Sequence, residues 1–140
     1  MYFYLNIFAK LLHQLLSLNH YCNFFLPFLR NANDLTDAYV VVKLDEQQVG
    51  RTTVIGDNLN PTWDERLRTT LYHKANKLTF HVFDHDIIGQ DKFIGSVEFD
   101  TKRLLEEKEI SGLFDILNGE ANKGQVQLSI NFNTQKSPMT

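Results

Sequence analysis

Residues 82–95 read Val-Phe-Asp-His-Asp-Ile-Ile-Gly-Gln-Asp-Lys-Phe-Ile-Gly, and they are the most informative stretch of the chain. Three carboxylates, those of Asp84, Asp86 and Asp91, fall within eight residues between two segments that alternate apolar and polar side chains. Such alternation predicts β-strands, so the acids are expected in a loop at the end of a sheet. Calcium takes several oxygen ligands from carboxylates and carbonyls. The stretch therefore predicts either a calcium site or a solvated acidic loop.

The helix–loop–helix calcium motif is excluded by its spacing. Asp84, Asp86 and Gly89 would take its first, third and sixth positions. Its fifth position, however, would be Ile88, and its twelfth would be Gly95 where a bidentate Glu is needed. A calcium site here has to be of another kind.

The remainder of the chain indicates an all-β fold. Short segments with a period of two, separated by turns, predict an eight-stranded antiparallel β-sandwich. The exception is a short helix near 101–109, which Thr101 is expected to cap. The predicted strands lie within 22–30 and at 38–45, 49–55, 63–71, 78–83, 93–99, 113–117 and 125–132.

Composition narrows the class of function. The net charge of −3 and the pI of about 5.9 give no reason to expect nucleic acid as a partner. The one cysteine, Cys22, excludes an intramolecular disulfide and suits a reducing compartment such as the cytoplasm. The sequence shows no nucleophile–base pair and no glycine-rich phosphate loop. We therefore expect a binding module and not an enzyme.

Residues 1–33 differ from the rest of the chain, because Lys10 and Arg30 are their only charged residues. A transmembrane helix needs about 20 mostly apolar residues, and polar side chains interrupt this run. We expect a helix over residues 3–18 that packs on the domain or lies at a membrane surface. Its apolar face would consist of Leu5, Phe8, Leu12, Leu15 and Leu16. The predicted organisation is an N-terminal segment at 1–21, a domain at 22–134 and a C-terminal tail at 135–140.

Four motifs of the chain are typical of one known family. They are Asp-Ala-Tyr-Val at 37–40, Arg-Thr-Thr-Val-Ile at 51–55, Asn-Pro-Thr-Trp-Asp-Glu at 60–65 and the acidic stretch at 82–95. In order and spacing they resemble the motifs of the C2 domain, a calcium- and phospholipid-binding β-sandwich. The closing segment at 124–132 resembles a strand that comes last in the type II order of this family. The resemblance thus implies a C2 sandwich of type II topology, with Trp63 in the core or supporting a loop.

The resemblance also implies a calcium site that is divided between loops. By their positions in the motifs, Asp37 corresponds to the second ligand of the first loop. Asp84 and Asp86 correspond to the first two ligands of the third loop. These three residues are the leading candidates for metal ligands.

Two family ligand positions are occupied differently in this chain. Asn31 stands at the first ligand position of the first loop, and Lys92 at the last of the third loop. The nearest carboxylates, Asp34 and Asp91, are the candidates to substitute for them. Because Lys92 repels a cation, we expect one weakly bound calcium ion and not two or three.

Two surfaces could then contact lipid. Ile87 and Ile88 could enter the headgroup region from the loop tip, or they could pack against a neighbouring loop. Lys43 and Arg51 could bind anionic headgroups, or they could form a solvated strand face. The predicted function is calcium-dependent binding to anionic phospholipid membranes by a peripheral protein of the cytoplasm. The alternative is a calcium-independent C2 domain that acts in protein–protein interaction.

Overall fold

The computed structural model describes residues 2–11, 36–57, 61–67, 69 and 75–135. Within these residues the chain forms eight β-strands and one helix. The strands are β1 Tyr2–Leu11, β2 Ala38–Leu44, β3 Gln47–Arg51, β4 Thr62–Leu67, β5 Lys77–Asp84, β6 Lys92–Asp100, β7 Glu109–Asn118 and β8 Ala121–Gln135. The helix is α1 Thr101–Glu107.

The strands form one antiparallel sheet with the order β3-β2-β5-β6-β7-β8-β1-β4. Buried residues from both halves of this order share one core, so the sheet is folded into two layers. The two layers join where Ser96 of β6 pairs with Leu117 of β7. A Cβ added at the neighbouring Gly95 would lie 2.8 Å from Ile116 Cγ2 and 2.9 Å from the Leu117 carbonyl oxygen. Glycine is therefore needed at this position for β7 to approach β6. The predicted antiparallel sandwich is confirmed, and β8, the last strand, lies between β7 and β1.

The core lies between the two layers and follows the predicted period of two. Phe80 of β5 is fully buried, and its ring meets that of Phe99 of β6 edge to face at 5.9 Å between centroids. Trp63 of β4 is 1% exposed, so its predicted place in the core is confirmed. Burying a side chain of this size contributes about 1.5–3 kcal/mol. Other buried members are Val40, Val42, Leu78, Val82, Val97, Ile116, Val126, Leu128 and Ile130.

The predicted helix at residues 3–18 is wrong over the part that the structure describes. Residues 2–11 form β1, which pairs with β8 on one edge and with β4 on the other. Every odd-numbered residue from Phe3 to Leu11 is apolar, and this spacing suits a strand as well as it suits part of a helical face. A strand at this position also gives the backbone groups of two neighbouring strands their partners. The sandwich thus includes residues that were predicted to form a separate N-terminal segment.

The short helix is confirmed, but its cap is Asp100 and not Thr101. Asp100 Oδ1 accepts a hydrogen bond from the Lys102 N–H at 2.9 Å, whereas the Thr101 hydroxyl donates to the Ala75 carbonyl oxygen at 2.6 Å. β7 then begins at Glu109, well before the predicted strand start at 113. The predicted strand within 22–30 and the tail beyond Gln135 lie outside the described residues.

Candidate metal and membrane site

Three strand ends bring the acidic loops together at one end of the sandwich. Ala38, the first residue of β2, pairs with Asp84, the last residue of β5. Asp84 in turn pairs with Lys92, where β6 begins. The segment after β3 reaches the same end, because Ile55 forms a bridge with Ala38. We call residues 52–57 the second loop and residues 85–91 the third loop.

Asp37, immediately before β2, is hydrogen-bonded to both of these regions. Its N–H donates to Asp84 Oδ1 at 2.9 Å, and its carbonyl oxygen accepts from the His85 N–H at 2.8 Å. Its own Oδ1 accepts from the Asp57 N–H of the second loop at 2.7 Å. Asp37 and Asp84 are both half-buried. The structure thus places the Asp84 carboxylate against the Asp37 backbone, as a site divided between loops requires.

Asp86 shapes the tip of the third loop. Its Oδ1 accepts a hydrogen bond from the Ile88 N–H at 3.0 Å, which is the local turn that aspartate favours. This turn presents Ile87 and Ile88 to solvent with 87% and 96% of their surface exposed. The two isoleucines therefore do not pack against a neighbouring loop within the described part of the chain.

The carboxylate of Asp91 is turned toward β2. Its Oδ1 lies 3.0 Å from both the Asp86 nitrogen and His85 Nδ1, and its Oδ2 accepts the Tyr39 hydroxyl. The Tyr39 hydrogen bond, followed by that of the Asp86 N–H, lowers the pKa of Asp91. Burial, followed by the hydrogen bond to Asp91, raises the pKa of Tyr39. The charged form of Asp91 is thus stabilised by the protein itself.

The donor chemistry of this end suits calcium, although the described side chains are not gathered around one point. Asp37, Asp84 and Asp86 offer the hard oxygen ligands that calcium prefers. In the described part of the chain, however, no three Asp, Glu, His or Cys side chains are grouped closely enough to hold a metal ion. Of the predicted ligands, Asp37 and Asp84 are in contact, and Asp86 lies in the adjoining third loop. The carboxylate of Asp91 is turned toward Tyr39 of β2.

Asn31 and Lys92 are the two positions that depart from the family pattern, and only Lys92 is among the described residues. Lys92 is exposed at the start of β6 and pairs with Asp84 in the sheet. Its ammonium group therefore adds a positive charge at the end where a cation would bind. Asn31 and the candidate Asp34 lie outside the described residues.

The second predicted lipid surface carries charges of both signs. Arg51 has its guanidinium 4.6 Å from the centre of the Tyr39 ring. Lys43 lines a shallow pocket of about 380 Å³. Burial, followed by the nearby Lys43 ammonium, lowers the pKa of His81 in the same pocket. Acids also line this pocket, which weakens its attraction for an anionic headgroup: Asp45, Glu46 and Glu98.

Two residues of β4, Trp63 and Glu65, support the site through hydrogen bonds. The Trp63 indole N–H donates to the Ala38 carbonyl oxygen at 3.3 Å, next to Asp37. Glu65 accepts the Thr53 N–H at 3.0 Å and so ties β4 to the second loop. The contact of Glu65 with Thr53 and that of Tyr39 with Asp91 were not predicted from the sequence. The only signal for them was that both residues lie within the motifs at 37–40 and 60–65.

These features define a class of protein: β-sandwich modules that carry their binding site on loops at one end. A family model described as the C2 domain matches residues 18–116. The chain belongs to the C2 domain family, as its motifs predicted.

Relatives of known sequence come from plants and animals. Phospholipase D gamma 3 of Arabidopsis thaliana is 36% identical over 110 residues, which are 78% of this chain and 13% of that protein. Protein C2-DOMAIN ABA-RELATED 3 of the same plant is 40% identical over 82 residues, which are 57% of this chain and 48% of that protein. The chain thus spans about one eighth of the phospholipase D relative and about half of the other.

Solved structures share the fold. A C2 domain of plant Extended Synaptotagmin 1 superposes with a TM-score of 0.67 at 18% identity, covering 97% of this chain and 96% of that chain. The calcium-bound tandem C2 domains of Extended-Synaptotagmin 2 give a TM-score of 0.65 at 22% identity, covering 94% of this chain and 45% of that chain. Among the described residues, no helix is long and apolar enough to cross a bilayer.

Proposed function

We propose that this chain is a membrane-targeting module that binds anionic phospholipid through its third loop and depends on calcium to do so. The observation that carries the proposal is the exposure of Ile87 and Ile88, 87% and 96%, at the tip of an acidic loop. Aliphatic side chains in such a position gain free energy when they enter the boundary between headgroups and acyl chains. The role is that of a peripheral membrane protein of the cytoplasm, with targeting and not catalysis as its task.

The need for calcium follows from charge. Asp37, Asp84 and Asp86 place three carboxylates at this end, and an anionic leaflet repels such groups. Calcium, when bound, neutralises these carboxylates and offers coordination positions to lipid phosphate oxygens. The same three side chains are its proposed ligands, and the positive charge of Lys92 limits the number of ions to one. The turn closed by Asp86 then directs the two isoleucines toward the lipid.

The comparisons support this proposal at two points. The phospholipase D relatives are, by name, enzymes that act on phospholipid, and their matched region is the one that this chain shares. An extended synaptotagmin with the same fold has been solved with calcium bound. Both similarities are to C2 domains, and the loop end of this chain is part of its own C2 domain.

Vesicle sedimentation tests the proposal. Phosphatidylserine vesicles are expected to sediment the protein in calcium and to leave it in the supernatant in chelator. Replacing both tip residues, Ile87→Gln with Ile88→Gln, is expected to abolish most of this binding. Leu105→Gln is the matched control, because Leu105 is 43% exposed on α1, at the opposite end of the sandwich. Equal loss in the tip variant and the control would overturn the proposal.

The second candidate is a calcium-independent C2 domain that binds another protein. The observation that favours it is the position of Lys92, which pairs with Asp84 at the very end where a cation would bind. A calorimetric titration separates the two functions. Absence of heat at millimolar calcium, with the fold intact by circular dichroism, would select the second function and reject the first.

A further inference from the structure

Asp91 gives both of its carboxylate oxygens to donors of the protein. Oδ1 lies 3.0 Å from the Asp86 nitrogen and 3.0 Å from His85 Nδ1, both within the third loop. Oδ2 accepts the hydroxyl of Tyr39, which lies 52 residues earlier in β2. This one carboxylate therefore joins the third loop to the adjoining sheet. To bind a metal ion, it would have to exchange these hydrogen bonds for the metal contact.

The Tyr39 hydroxyl is a donor in a well-fixed position. The ring is 6% exposed and stacks on Phe83 with 5.5 Å between centroids and 18° between planes. Tyr39 and Phe83 are also paired across β2 and β5. The Arg51 guanidinium lies 4.6 Å from the centre of the same ring, within reach of a cation–π interaction. The hydroxyl is thus held by packing within the sheet, independently of the third loop.

We propose that Asp91 is not a metal ligand but a strut, meaning a side chain whose hydrogen bonds hold the third loop in place. Tyr39 is the positioning residue that holds the Asp91 carboxylate. The proposal rests on the proposed function, since the loop it orders is the one that would take calcium and enter the membrane. The Asp91 carboxylate holds the Asp86 backbone, two residues after Asp84, whose own carboxylate contacts Asp37. The chain thereby orders its metal loop before any ion arrives.

The advantage of such a strut is a smaller loss of conformational freedom on binding. A loop that must become ordered when it takes its ligand binds more weakly than a preorganised one. Residues 85–90 are exposed, so hydrogen bonds have to hold this loop where packing does not. The Asp86 N–H is the point at which the strut acts, and it comes directly before the exposed tip at Ile87 and Ile88.

Paired substitutions distinguish a strut from a ligand. Asp91→Asn keeps an oxygen that can accept the Asp86 N–H, whereas Asp91→Ala removes it. A strut predicts that Asp91→Asn weakens calcium binding less than threefold and Asp91→Ala roughly tenfold, the effect of about one hydrogen bond to a charged group. Asp86→Asn serves as the ligand reference, because it keeps an oxygen that can accept the Ile88 N–H and removes only the charge. Loss of the charge that calcium needs should weaken binding roughly 30-fold.

Hydrogen exchange in chelator tests the strut without any metal. Tyr39→Phe keeps the stacked ring and removes only the hydroxyl, so the fold should persist. It is expected to speed exchange of the Asp86 amide roughly fivefold. The Leu128 amide, in the centre of β8, should be unchanged. Asp115→Asn, which alters an exposed carboxylate bonded to Gln125 on the other layer, is the control and should leave the Asp86 amide unchanged.

The proposal is overturned if Asp91→Asn weakens calcium binding as much as Asp91→Ala does, because Asp91 would then act through its charge as a ligand. It is overturned equally by an unchanged Asp86 exchange rate in Tyr39→Phe. A wild-type protein that binds no calcium would reject the proposed function alone. The exchange measurement in chelator would still decide whether Tyr39 and Asp91 order the loop.

Discussion

The two ends of the sandwich both carry aspartates in turns, yet they use them differently. At the end away from the site, Asp45 Oδ1 accepts the N–H groups of Asn76 and Lys77, each at 3.0 Å, and Asp100 caps α1. At the site end, Asp37 and Asp86 also accept backbone N–H groups, but there the second and third loops meet beside Asp37. An acidic turn is therefore not in itself a binding site. What distinguishes the site end is the meeting of loops beside an exposed apolar tip.

The largest effect that separates the two ends should come from the loop tip. Ile87→Gln with Ile88→Gln is expected to weaken binding to phosphatidylserine vesicles in calcium roughly 100-fold, since partial burial of two isoleucines contributes about 3 kcal/mol. Leu105→Gln, at the other end, should leave binding unchanged. Sedimentation across a lipid titration measures both. Equal binding by all three proteins would remove the distinction between the ends.

The next largest difference between the two ends should be the effect of removing one carboxylate on calcium binding. Asp86→Asn is expected to weaken calcium binding roughly 30-fold, because a divalent ion loses one adjacent negative charge. Asp45→Asn should not change calcium binding, and it should fold well, because Asp45 has a φ of 51° and asparagine tolerates this conformation. Calorimetry on the two variants provides the comparison. A similar loss in both would mean that the charge of the whole chain, and not the site, governs calcium binding.

The helix cap should affect stability and nothing at the membrane. Asp100→Ala removes the side chain that accepts the Lys102 N–H, so the free energy of unfolding should fall by about 1 kcal/mol. Vesicle binding at a temperature where the variant is folded should match the wild type. Urea unfolding and sedimentation measure these two properties. Weaker vesicle binding by the folded variant would show that the two ends are coupled.

The smallest effect concerns the pH dependence of stability. The folded-state pKa of Asp91 lies below its ordinary value of 3.8, so the unfolded chain takes up this proton first as the pH falls. The stabilisation is complete above that ordinary value and is lost as the pH falls through the lowered folded-state pKa. The stability difference between wild type and Asp91→Asn should therefore shrink between about pH 5 and about pH 3. Urea unfolding at both pH values tests this, and a constant difference would contradict it.

Strands with one apolar face and one polar face were predicted from the sequence. Strand β1 was not, because its pattern of apolar residues fits both a strand and a helix. β5, β6 and β8 alternate apolar and polar residues, so their period was clear. In β1, the apolar residues at odd positions overlap with a helical face that includes Leu5 and Phe8. The pairings with β4 and β8, which lie far along the chain, decide between the two structures. Local periodicity contains no information on such a partner.

In the candidate site, too, residues in continuous motifs could be predicted, whereas a contact between distant residues could not. Asp37, Asp84 and Asp86 were found from motifs that are continuous in sequence, and the structure places them at one end. Asp91 was predicted as a substitute ligand because it precedes Lys92. Its hydrogen bond to Tyr39 spans 52 residues and depends on where the ring of a β2 residue lies, which no spacing rule specifies.

Calcium-dependent membrane binding is best tested by a calorimetric titration of the protein with calcium in the presence of phosphatidylserine vesicles. We expect a saturable heat with about one calcium ion per chain and transfer of the protein to the vesicles over the same concentration range. Absence of heat at millimolar calcium, or transfer to the vesicles that is unchanged by chelator, would contradict it.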